Sequence, residues 1–211
     1  MEILKIKKQI LSLLFIICVG ASATAQDDVI AAFRESYALE QQGEYVRAAE
    51  RLNRVYQSDS YEMNLRLGWL YYLAGRLNDS ENHYSKAIAS KPYAIEPRLG
   101  MAYPLSAQAR WDDLVALYNR ILEIDPQNSL VNYRMGLIYY NRQSHERADQ
   151  YLEKVINLYP FDYDTMLLLA WNKLALQKLR EARVLFNKVL MNNPGDESAL
   201  EGLKYLEPRS R

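Results

Sequence analysis

The sequence predicts an all-α chain assembled from about five helix-turn-helix units, and three observations predict it. Pro92, Pro126, Pro160 and Pro194 stand 34 residues apart each time. In the units this spacing defines (61–94, 95–128, 129–162 and 163–196), the eighth position is small: Gly68, Ala102, Gly136, Ala170. The twenty-fourth is bulky: Tyr84, Tyr118, Leu152, Phe186. Recurrence at a fixed period marks a repeat architecture, in which one unit cannot bury its apolar face without a neighbour.

Residues 1–25 are a separate object. Lys5, Lys7 and Lys8 precede an apolar run over 10–19, and small residues follow through Ala23-Thr24-Ala25. Basic, apolar, then A-x-A is the layout of a cleaved secretory signal. The run is about half the roughly 20 residues a spanning helix needs, so no stable membrane span is expected once the signal is removed. Cys18 is the only cysteine, so the exported chain, starting at Gln26, would have to be held by packing and not by disulfides. The expected location is the periplasm or the outer-membrane surface.

A degenerate first unit spans about 29–60, with Ser36 at its eighth position, Ala48 at its twentieth and Leu52 at its twenty-fourth. Asp27 or Asp28 can cap its first helix. In unit 61–94 the turn falls at Ala74-Gly75-Arg76 and Pro92 stops the second helix, because the residue before a proline is pushed out of the α region. Unit 95–128 has Pro97 in a first turn, where a missing N–H is harmless, and Asp112 as a possible cap of the second helix. Pro104, inside the first helix, should kink or break it by removing a hydrogen bond and colliding with the Gly100 carbonyl. Such a kink either widens the surface into a pocket or is simply tolerated. Units 129–162 and 163–196 follow in register. Residues 197–206 then form a capping helix, with Asp196 as its N-cap, Leu200 and Leu203 inward, and Glu197, Glu201 and Lys204 outward.

Leu67-Gly68-x-x-Tyr71, Tyr84, Ala87 and Pro92 in one unit, and Met135-Gly136-x-x-Tyr139, Ala148, Leu152 and Pro160 in another, resemble the tetratricopeptide repeat (TPR) family. The resemblance covers nearly all of 29–206. It implies a right-handed α-solenoid of about five TPR units with a C-terminal cap, and ligands carried on the concave face of the first helices. The family's contact positions fall here on Tyr37, Trp69, Tyr103 and Trp171 (ninth), Tyr72 and Tyr140 (twelfth), and Tyr133 (fifth). Arg66 and Arg134 stand at the sixth. Tyr and Trp offer an apolar face and a polar edge, and are enriched where proteins meet partners. Packing is the other reading for the rings, and ion pairing between repeats the other reading for the arginines. The Lys and Asn that bind acidic chaperone tails in some members of the family are missing.

Composition narrows the function classes. Hydrophobic content of 49% and charged content of 25% describe a folded chain, and 26 basic against 26 acidic residues give no nucleic-acid footprint. The two histidines, His83 and His145, fall in different second helices and have no cysteine partners, so no metal, cofactor or catalytic pair is expected. The expected function is a non-catalytic interaction module or adaptor of the cell envelope, binding another protein or a peptide within a larger complex. A glycan-binding module and a self-associating structural repeat remain as alternatives.

Overall fold

The structure is a computed structural model that describes residues 26–207. The expected signal segment, with Cys18, lies outside the described residues, as do 208–211. Every regular element among the described residues is an α-helix. The series runs α1 (26–41), α2 (Tyr45–Asn53), α3 (Tyr61–Leu73), α4 (Leu77–Ser90), α5 (Glu96–Ala107) and α6 (Trp111–Ile124). It continues with α7 (Ser129–Asn141), α8 (His145–Leu158), α9 (Tyr163–Ala175), α10 (Leu179–Asn192) and α11 (Glu197–Tyr205). The chain divides within α6 into two compact units, one running to Leu114 and the other starting at Val115.

The first unit is built by packing α2 on α3, α3 on α4, and α4 on α5. One of its cores gathers Ala32, Ala48, Ala49, Leu52, Leu67, Leu70 and Tyr71. In the second unit α7 packs on α8, α8 on α9, α9 on α10, and α10 on α11. Its core holds Leu152, Met166, Leu169, Phe186, Val189 and Ala199.

Helix starts follow side-chain chemistry. Ser60, Asn128, Asp162 and Asp196 accept from the third N–H of α3, α7, α9 and α11 at 3.3, 3.1, 3.0 and 2.7 Å. Asp27 and Asp28 sit within the described helix 26–41, and Asp112 lies inside the first turn of α6, so none of the three stands before its helix as a cap. Pro104 does not break α5, which runs on to Ala107, and the Pro104 carbonyl accepts from Gln108 N–H at 3.1 Å.

The turn between paired helices is the same in every repeat. Gly43, Gly75, Ala109, Gln143 and Gln177 all adopt the left-handed region, with φ between 55° and 76°. The next residue's N–H reaches back five positions, as from Arg76 to Tyr71 (2.8 Å) and from Ser144 to Tyr139 (2.9 Å), which closes the helix end. Glycine takes this conformation freely, whereas a β-carbon costs about 1–2 kcal/mol.

The small eighth residues are small because of what they face. A β-carbon at Gly68 would lie 2.9 Å from the Tyr84 ring, and one at Gly136 2.5 Å from Leu152 Cδ2. In the terminal helix the same demand falls on Gly202, whose β-carbon would lie 2.2 Å from Phe186. That contact corrects the expected cap: Ala199 and Gly202 are its buried residues and Leu203 packs beside them, while Leu200 is exposed.

The turn geometry gives a stability prediction. Gly75→Ala should cost about 1 kcal/mol, and Gln143→Gly or Gln177→Gly should be neutral or gain up to about 1 kcal/mol each, net of the entropy glycine brings to the unfolded chain. Urea denaturation of the three variants checks this. A neutral Gly75→Ala would contradict the strain assigned to the turn.

Candidate functional site

In the first unit, α3 supplies most of a polar-aromatic row. Its alternation of face puts Arg66, Trp69 and Tyr72 along one side, because residues three apart on a helix are neighbours. Tyr37 and Glu40 come from α1, and Tyr103 from α5. The Trp69 Nε1–H donates to Glu40 Oε1 at 2.6 Å, and the other oxygen of Glu40 pairs with the Arg66 guanidinium at 2.5 Å. Arg66 also lies over the Tyr37 ring, 3.8 Å from its centroid, and donates to Ser36 Oγ at 3.3 Å. It is 7% exposed, so its charge is committed to this network between repeats.

At the other end of the row three rings converge. Trp69 and Tyr72 are 5.7 Å apart between centroids, Trp69 and Tyr103 5.6 Å, and Tyr72 and Tyr103 5.2 Å. Trp69 and Tyr72 are half-buried and Tyr103 is 39% exposed. Ring pairs at these distances hold one another in place while leaving faces to solvent. The result is a preformed aromatic shelf with one anchored indole.

The second unit does not repeat the arrangement. Trp171 donates to Ser198 Oγ at 2.9 Å and meets Phe186 and Tyr205 edge-on at 5.2 and 6.0 Å, so it belongs to the junction with α11. Tyr140 lies edge-on to His145 at 5.5 Å, and burial raises its phenol pKa. Tyr133, on α7, is half-buried beside the first residues of α9, its pKa raised by burial and by Asp164 and Asp162. Arg134 donates to the Tyr118 hydroxyl at 3.1 Å. The structure therefore gathers Tyr37, Arg66, Trp69, Tyr72 and Tyr103 and leaves the other four at separate places.

Two polar networks were not singled out by the sequence. Lys173, 3% exposed, pairs with Asp149 at 2.9 Å, Glu153 at 2.5 Å and Glu181 at 2.9 Å. Burial alone would depress its ammonium, but the bonds to the three carboxylates outweigh that and raise its pKa. In the first unit, buried Asn64 donates to the carbonyls of Ser58 and Ser60 at 2.9 and 2.8 Å. That pins its carboxamide oxygen toward His83 Nδ1 at 2.9 Å, so Nδ1 carries the proton of a neutral ring. His83 also stacks on Tyr71 at 5.3 Å. The signal for both was a polar residue inside an apolar stripe. Among the described residues no group of three or more His, Cys, Asp or Glu could hold a metal ion, and no helix is long and apolar enough to cross a membrane.

Residues 33–95 and, separately, 131–162 match family models described as tetratricopeptide repeat. The human protein O-mannosyl-transferase TMTC1 is 30% identical over 122 residues, which is 57% of this chain and 14% of that protein. The chain thus spans a small part of that relative's length. Among solved structures, a tetratricopeptide repeat protein from Parabacteroides merdae superposes with a TM-score of 0.72 at 20% identity, covering 85% of this chain and 72% of the other. MamA from Desulfovibrio magneticus RS-1, from residue 41 to its end, gives 0.68 at 14% identity over 81% and 98%. At these identities the likeness is one of fold.

The buried imidazole generates a pH prediction. Burial first, and then the charge of Lys86, lower the His83 pKa from the usual 6.5 to about 4. The unfolded chain therefore binds the extra proton, and His83 contributes stability above pH 6.5 that is lost as pH falls toward 4. Following the two histidines by NMR should show one ring titrating near 4, and His83→Gln should flatten the loss of stability in that window. A His83 ring titrating near 6.5 would contradict the assignment.

Proposed function

This chain is a tetratricopeptide repeat protein, and from that premise we propose that it is a non-catalytic adaptor that captures an extended segment of a partner protein on the shelf of Trp69, Tyr72 and Tyr103. One observation carries the reading. The three rings are fixed before any partner arrives, because Trp69 is tied to Glu40 and the rings pack on one another. A preformed surface loses little side-chain freedom on binding, and immobilising a flexible side chain otherwise costs about 0.5–1.5 kcal/mol. An apolar or aromatic side chain of the partner would lie on the ring faces.

The transferase named for the human relative lends no chemistry to this reading, since the match covers 14% of that protein. We further propose that the adaptor works in the cell envelope, in a larger complex. Support for that is the basic, apolar, small-residue order of residues 1–25. Expression of the full sequence in a secreting bacterial host should place the product outside the cytoplasm with Gln26 at its N-terminus.

The binding test is a panning of displayed random peptides, and of cell-wall glycan fragments in parallel, against the folded chain. Recovered peptides should carry an aromatic or large apolar residue. Their affinity should fall by about tenfold or more in Tyr72→Ala/Tyr103→Ala, with the melting temperature kept within a few degrees. Peptides bound equally well by the variant would contradict the shelf. Retention of glycans and not of peptides would favour a carbohydrate ligand.

A further inference from the structure

The second unit contains a cleft that the aromatic shelf does not use. It is about 300 Å³, lies where α7, the end of α8 and the start of α9 meet, and is lined by Leu130, Tyr133, Val155, Tyr159, Asp164 and Thr165 among others. Asp162 also borders it, but one of its oxygens is engaged in capping α9. Apolar and aromatic walls with carboxylates at one edge suit a long side chain with a cationic tip.

Two further observations point to a ligand. Thr165 is 1% exposed, and its hydroxyl has no hydrogen-bond partner, which is costly for a buried polar group. The chain itself also supplies a comparison for the acid. Glu62 is the second residue of α3 as Asp164 is of α9, and Glu62 is paired with Lys91 at 3.4 Å, whose ammonium sits 4.1 Å from the Tyr61 ring centroid. The matching tyrosine is present as Tyr163, but the position of Lys91 is taken by Asn193. Asp164 therefore has no cation of its own among the described residues. Burial raises the phenol pKa of Tyr133, and the same carboxylates add to that rise, as expected for negative potential over the cleft.

We propose that this cleft receives a basic side chain, an arginine, from a bound polypeptide: the stem between Leu130 and Val155, the guanidinium against the Tyr159 and Tyr133 rings and paired with the Asp164 carboxylate. Arginine fits better than lysine because its planar group stacks on aromatic faces and meets a carboxylate bidentately. The site stands apart from the shelf of the first unit and does not depend on it.

The test uses the folded chain and three capped tripeptides, with arginine, its neutral isostere citrulline, or norleucine at the centre. Amide NMR shifts on titration report where each binds. The arginine peptide should shift Tyr133, Asp164 and Thr165 saturably, the other two should bind far more weakly, and Asp164→Asn should weaken the arginine peptide by about fivefold. Tyr159→Ala should weaken it too, and unchanged shifts elsewhere would show that both variants fold. Equal binding of citrulline or norleucine, an unaffected Asp164→Asn, or shifts that map away from α9 would each overturn the proposal.

Discussion

The ring of Tyr84 leaves no room for a β-carbon on either side of it. One flank is Gly68 in its own repeat, where a β-carbon would lie 2.9 Å away. The other is Gly100 at the sixth position of the next repeat, where it would lie 2.3 Å away. Tyr84 is 2% exposed, so a second-helix side chain is wedged between two successive first helices. The second unit applies the same constraint at its end, where Phe186, fully buried, presses on Gly202 sixteen positions later in the chain. Other junctions solve it differently. Leu168 packs against the cluster that holds Leu152, and Tyr118 is met by Arg134, which donates to its hydroxyl. The sixth position thus complements the twenty-fourth residue of the repeat before it.

That rule explains what was legible and what was not. Proline spacing, the small eighth position and the bulky twenty-fourth placed the helix pairs, because each feature acts within one repeat. The sixth position answers to a neighbour: an ion pair between repeats is found at Arg66, Arg134 bonds a tyrosine hydroxyl, and reading repeats one at a time gave no role to Gly100 or Gly202. The signal was present as an aromatic followed sixteen residues later by glycine. Leu200 went astray for the same reason: its periodic position is apolar, but the Phe186 ring occupies the space, and only Ala199 and Gly202 fit against it.

The aromatic residues divide along the same line. Helical spacing identified a face, and in the first unit that face does gather Trp69, Tyr72 and Tyr103. It could not foresee that α11 would bring Ser198 and Tyr205 onto Trp171. Nor could it foresee that Glu40 of α1 would fix both Arg66 and Trp69. The partner-binding reading draws on the rings left with open faces, and the glycine-lined wedge of Tyr84 between α3 and α5 sets the spacing of the helices that carry them.

A double-mutant cycle at that wedge is the most direct test. Tyr84→Leu leaves a cavity and Gly100→Leu overpacks, each costing about 1–3 kcal/mol or more. Together they place leucine at both positions, as Leu152 and Leu168 do two junctions further on, so the double variant should be more stable than the sum of the single costs by about 1–3 kcal/mol. Strictly additive losses would contradict the claim that the twenty-fourth side chain of one repeat dictates the sixth residue of the next.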